Sequence, residues 1–159
     1  MTKTDMKINA LIKVALAKDV AEHKAAREDL RRLVNGSAAT KQDADDIARE
    51  ILLELGAPDH LVGHPYVIQA ILLVVQDRSY IDSVTNGLYP QLAAMFDTTA
   101  SRVERAIRHL IEVMFARGDV EVLYSYFGNT ISADKAKPTN GEFLARLAAI
   151  VKLRMKNAE

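Results

Sequence analysis

The sequence predicts an all-α protein: a compact multi-helix bundle of about six helices that contains a helix-turn-helix, with an N-terminal helical appendage. Three observations predict it. Apolar residues recur at helical spacing in most segments, and no segment shows a convincing strand pattern. The stretch from Pro65 to Gln76 is apolar on most sides, which places it at the centre of a core. Between Tyr89 and Gly118 a short helix, a tight polar turn and a longer helix follow one another.

Length and composition bound the alternatives. A chain of 159 residues makes one domain plus an appendage, or two small units; the division expected is 1–45 and 46–159. The hydrophobic fraction of 49% supports a real core, yet no apolar run approaches the span of a bilayer. The first residues, Met1-Thr-Lys-Thr-Asp, lack the apolar run of a signal peptide, so a cytoplasmic protein with no membrane partner is expected. The absence of cysteine excludes disulfides and thiolate metal sites.

In order along the chain, residues 5–34 read as two short helices. Ile8, Leu11, Ile12 and Ala15 form one stripe, and Asp19-x-x-Glu22 caps a second helix carrying Leu30 and Leu33. Neither is stable alone in water, so each must pack on the other, on the main domain or on a second copy. Asn35 to Gln42 reads as a linker. Asp43-x-Asp45-Asp46 lacks the glycine and distal glutamate of a calcium loop, and acidic residues suit a helix first turn. Ile47, Ile51, Leu52 and Leu55 form the face of the next helix, ended by Gly56 and Pro58. His60 and His64 are four apart, but no glutamate lies between them in zinc-hydrolase register, and Gly63 and Pro65 interrupt the segment. No metal and no cofactor is expected.

The apolar helix from Pro65 to Gln76 is the expected hub. One more helical turn fits between Arg78 and Val84. A short helix then runs from about Pro90 to Phe96, and Pro90 either starts it or kinks a longer one. The turn is Asp97-Thr98-Thr99, without the glycine usual in such turns. Either threonine can cap the next helix, and Ser101-x-x-Glu104 also matches a capping box. Gly118 is expected to end that helix in the left-handed conformation.

At 100° per residue the long helix sorts into faces. Val103, Ile107, Leu110 and Met114 fall together and must face a core. Ser101, Arg105, Arg108 and Glu112 lie opposite, with Arg102 and His109 along one edge and Glu104 along the other. A solvated amphipathic surface helix would explain three outer arginines. So would a recognition helix, in which arginine pairs bidentately with guanine or clamps phosphate and glutamate accepts from cytosine.

Beyond Gly118, Asp119 can cap a short helix to about Phe127. Asn129 to Pro138 reads as a loop with two lysines. Thr139-x-x-Glu142 is a capping box, and a last helix follows with Phe143, Leu144, Leu147, Ala148, Ile150 and Val151 apolar. The chain holds 21 basic and 21 acidic side chains, so any basic footprint must be local. It is local between Thr99 and Gly118, with four arginines against two glutamates. Neutral overall charge predicts modest non-specific affinity for nucleic acid.

The run Thr98-Thr99-Ala-Ser-Arg-Val-Glu-Arg-Ala-Ile-Arg-His resembles the recognition helix of the C-terminal DNA-binding domain of the sporulation initiation regulator of spore-forming bacteria. Leu55-Gly-Ala-Pro-Asp-His60, Leu88-Tyr-Pro90, Ile111-Glu-Val113, Arg117-Gly118, Phe127-Gly128 and Lys135-Ala-Lys-Pro-Thr-Asn140 resemble it in order and spacing. The resemblance covers roughly Ile47 to Leu153. It implies a response-regulator effector domain that binds double-stranded DNA as a pair, at least on the DNA. It assigns recognition to Ser101, Arg102, Glu104, Arg105, Arg108 and His109, with Lys135 and Lys137 near the backbone. It assigns Gly118, Asp119, Glu121 and Tyr124 to a surface that meets RNA polymerase and its sigma subunit.

Three departures stand out. The segment before Ile47 shows no alternating strand and helix pattern of a receiver. Ala94-Met95 stands where the family usually carries two lysines. Val120-Glu-Val-Leu-Tyr-Ser-Tyr differs in its side chains. The leading expectation is a sequence-specific transcription regulator acting without a phosphorylatable receiver. The alternative is a protein-interaction module of the same fold, pairing with family members or polymerase without reading DNA. Enzymatic activity is not expected, since no nucleophile, base or phosphate-binding glycine loop stands at motif spacing.

Overall fold

The computed structural model describes residues 39–128 and 137–157, with side chains from residue 43 on. The helices expected within residues 5–34, Lys135 and most of the loop before Pro138 lie outside the described residues. Residues Asp43–Glu159 form one compact unit.

Among the described residues there are seven α-helices, one π-helical turn and no strand. They are α1 (Ala39–Glu54), α2 (Gly63–Gln76), α3 (Ser79–Asp82), α4 (Tyr89–Met95), α5 (Ala100–Arg117), α6 (Val120–Phe127) and α7 (Asn140–Asn157), with the π turn at Val84–Leu88. The all-α expectation holds. α2 is the hub: Val67, Ile68, Ala70 and Ile71 are fully buried, and the helix packs on α3, α4, α5 and α7. Burial of one such aliphatic side chain contributes about 1.5–3 kcal/mol. Phe127 on α6 stacks on Phe143 of α7 with ring centroids 5.3 Å apart, which closes the core on that side. No polar or charged side chain is buried among the described residues.

Several local expectations need correction. α1 begins at Ala39, so residues 39–42 are helix and not linker. Asp43, Asp45 and Asp46 therefore lie beyond the first turn, where Asp45 pairs with Arg49 one turn on at 3.0 Å. Gly56 does take the left-handed conformation, φ +75°. There Ala57 donates to the Leu52 carbonyl and Gly56 to that of Leu53, so two orphan carbonyls are satisfied as α1 ends. Gly118 does not: its backbone is extended, φ −72° and ψ 164°. It is glycine for space, since a Cβ would stand 2.6 Å from the Met114 carbonyl oxygen and 3.2 Å from that of Leu55.

Pro90 stands in the first turn of α4, so of the two alternatives it helps start this helix and does not kink a longer one. It follows directly on the π turn, where Leu88 donates to the Ser83 carbonyl and Tyr89 to that of Val84. The wider turn carries the chain into α4 without asking proline for an N–H it lacks. The missing glycine of the next turn is replaced by Asp97, which itself adopts the left-handed conformation at φ +51°. Aspartate tolerates that region better than most side chains. Thr98 then donates to the Ala93 carbonyl at 2.9 Å, closing the end of α4 as Ala57 closes α1.

Candidate nucleic-acid interface

α5 starts where Thr99, in extended backbone, accepts from the Arg102 N–H on its side-chain oxygen at 3.3 Å. Of the capping alternatives open in the sequence, Thr99 is therefore the one used, and Ser101 lies inside the helix. Val103, Ile107, Leu110 and Met114 are each 0% exposed, and Ile111 joins them. That face anchors α5 on α2, α4 and α7. The approach to α2 is close: a Cβ on Gly63, the first residue of α2, would overlap the Ala106 carbonyl. Only glycine lets the hub helix abut α5 there.

With one face fixed, the opposite face is presented outward. Ser101, Arg102, Arg105, Arg108, His109 and Glu112 are exposed and Glu104 is half-exposed. Arg105 donates to the Ser101 hydroxyl at 3.4 Å, and Arg108 pairs with Glu104 at 3.0 Å, each one helical turn back. Lys137 reaches the same face from the segment before α7 and pairs with Glu112 at 3.2 Å. The structure thus brings the six α5 residues assigned to recognition together with Lys137. Both ion pairs are solvent-exposed, so each contributes at most about 1 kcal/mol and yields readily to a competing phosphate.

One side chain absent from the sequence-based site stands beneath this face. Asn140, first residue of α7, donates through Nδ2 to the Tyr89 hydroxyl and to the Glu104 carbonyl, both at 3.0 Å. Burial pushes the Tyr89 hydroxyl above its ordinary pKa, so it stays protonated. Beside these bonds lies a groove of about 900 Å³ between the π turn, the first half of α5 and the start of α7, with Tyr89, Ile111 and Pro138 among its walls. The sequence marked Asn140 only by its place after the capping threonine and at the end of the run from Lys135 that resembles the family.

The four residues expected to face polymerase have different situations. Gly118 is enclosed against Met114 and Leu55. The Asp119 carboxylate accepts from the Glu121 and Val122 N–H groups at 2.9 and 3.4 Å and so caps α6. Glu121 is exposed, and Tyr124 is 72% exposed. Val120, named in the sequence only within the run that departs from the family, is 77% exposed beside them. His64, in the first turn of α2, is held below its ordinary pKa by burial and by nearby Arg49.

An all-α bundle whose helix-turn-helix presents an arginine-bearing outer face has the architecture of a DNA-binding regulator. The family model described as sporulation initiation factor Spo0A C terminal matches residues 48–151, well over half of the chain, and the chain belongs to that family. The family is one of DNA-binding effector domains.

Proposed function

We propose that this protein is a sequence-specific DNA-binding transcription regulator that engages DNA without a phosphorylation step. The observation that carries the reading is the outer face of α5: Arg102, Arg105, Arg108 and His109 stand exposed within about two turns while the opposite face is wholly buried. In this reading α5 enters the major groove. Arg105 and Arg108 reach base edges, with Ser101, Arg102, Glu104 and His109 around them. Lys135 and Lys137 approach phosphates and fix the register. The protein occupies DNA as a pair.

The test is a selection from a random duplex library with the unphosphorylated protein. Recovery of a shared sequence supports the reading. Recovery of no preference at moderate salt, or a preference only after treatment with a phosphodonor, overturns it.

A second surface supports a further element of the proposal. Val120, Glu121 and Tyr124 project from α6 at the far end of α5 from the capping turn. Exposed apolar side chains with a neighbouring acid suit a protein partner. We place the sigma subunit of RNA polymerase there. Tyr124→Ala should then lower transcription from a bound promoter while leaving promoter affinity unchanged. Should the α5 arginines prove irrelevant to DNA, this surface favours the interaction-module reading.

A further inference from the structure

We propose that Asn140 is a positioning residue for DNA reading: it holds the α5 turn that carries Arg108 in register with the phosphate-facing segment around Lys137. The inference rests on the proposed reading of DNA by α5.

A side-chain amide offers two N–H donors and one acceptor oxygen. Here both contacts fall on Nδ2. The Glu104 carbonyl can only accept, so the nitrogen must face it, and the amide orientation is fixed by chemistry. Glu104 opens the helical turn that Arg108 closes, and its carboxylate is the one that pairs with Arg108. The Asn140 bond therefore grips α5 directly under the side chain assigned to a base edge. The second bond reaches Tyr89, the first residue of α4, so one amide ties the two helices of the helix-turn-helix to α7. Lys137 lies three residues earlier on the same segment and touches α5 at Glu112, about two turns beyond Glu104. Base reading and phosphate holding thus share one polar joint. Recognition needs both groups placed at once, since phosphate contacts set the register in which base contacts are read.

The site also separates positioning from simple support. Asn140 is the first residue of α7, where a carboxylate is favoured by the helix dipole. Asn140→Asp keeps the size and suits the helix start, but it removes both donors and sets a carboxylate against the Glu104 carbonyl.

The experiment measures affinity for the selected duplex and for its scrambled counterpart, with thermal midpoints taken in parallel, for the full chain. Asn140→Asp should lower the ratio of selected to scrambled affinity at least about fivefold, because a misplaced arginine forfeits part of a discrimination of roughly 1–3 kcal/mol. Scrambled affinity should also fall, but by less than selected affinity, because the Lys137 segment shares the joint and the new carboxylate adds a negative charge. In an Arg108→Ala background the same substitution should change the ratio less than about twofold, since positioned and positioning groups act as one unit. An Arg102→Ala background should retain the full loss. If Asn140→Asp fails to fold, Asn140→Ser is read in its place. An unchanged ratio, or a loss that simply adds to that of Arg108→Ala, overturns the proposal while leaving DNA reading intact. A wild-type protein with no sequence preference overturns both.

Discussion

Arg108 and Lys137 are each held by a carboxylate of the same helix, Glu104 and Glu112. Such pairs keep cations from binding any polyanion indiscriminately, yet they are weak enough to exchange for a better partner. Their geometry separates two tasks. Arg108 and Arg105 project from a rigid helix and can meet a base edge in a fixed orientation. Lys137 is a point charge outside the helix and acts on phosphate. Replacing Arg105 or Arg108 by alanine should cost roughly 1–3 kcal/mol on the preferred duplex and relax preference at one base pair. Lys137→Ala should weaken all sequences about equally and lower the salt slope by about one unit. Affinities for preferred and scrambled duplexes across a salt series check both. If both arginine variants keep the full ratio, α5 does not read sequence.

At the scale of elements, the ends of helices decide how α5 is presented. α4 closes through Asp97 in the left-handed region, and α1 closes through Gly56 in the same way. Asp97 is exposed, so its side chain contributes little packing and its backbone carries the cost. Asp97→Gly should raise stability by up to about 1 kcal/mol, whereas Asp97→Val should lower it by about 1–3 kcal/mol. Chemical denaturation of the two variants measures the pair, and equal stabilities would count against a strained turn. Gly118 makes the opposite demand, for space and not for dihedral freedom. Gly118→Ala must displace the Met114 carbonyl from a backbone that also meets the end of α1, at a cost of about 1–3 kcal/mol by the same measurement.

For the whole molecule, one polar node joins helices far apart in sequence. The Tyr126 hydroxyl on α6 donates to Glu54 on α1 and accepts from Arg154 on α7 at 2.8 Å. Arg146 of α7 donates to the Tyr126 carbonyl at 2.7 Å. The Tyr126 hydroxyl, against partial burial, and then Arg154 hold the Glu54 carboxyl below the ordinary glutamate value of 4.5. A lowered pKa in the folded state means stability that is fully present above 4.5 and is lost as pH falls through the folded value. Tyr126→Phe should cost about 1 kcal/mol at neutral pH and should flatten the stability loss below pH 4.5, read by denaturation at a series of pH values. Pairing belongs to this scale too. The sequence of residues 5–34, which lie outside the described residues, predicts an apolar stripe on short helices that would need a partner. We expect the full chain to sediment as a dimer and a chain starting at Ala39 as a monomer. Identical monomers would remove those residues from assembly.

The sequence by itself determined the helical class, the buried central helix at Pro65 to Gln76, the faces of α5 and the caps at Asp119 and Thr139. These depend on interactions within a few residues, and periodicity records them directly. The resemblance from Thr98 to His109 pointed to the family, and the match over residues 48–151 agrees with it. Tertiary structure decided what depends on residues distant in the chain. Gly63 is small because α5 passes close by at Ala106, and Gly118 because the Leu55 carbonyl at the end of α1 and the Leu123 side chain crowd it together with the Met114 carbonyl of its own helix. The π turn before Pro90 has no periodic signature, being five residues long. Asn140 reads as an ordinary helix-start residue until Glu104, 36 positions earlier, is folded against it. Glu54, Tyr126 and Arg154 lie on three different helices, and only packing brings them to one point. Local chemistry thus fixed which face of α5 looks outward, and long-range contacts fixed how firmly, and against what, it is held.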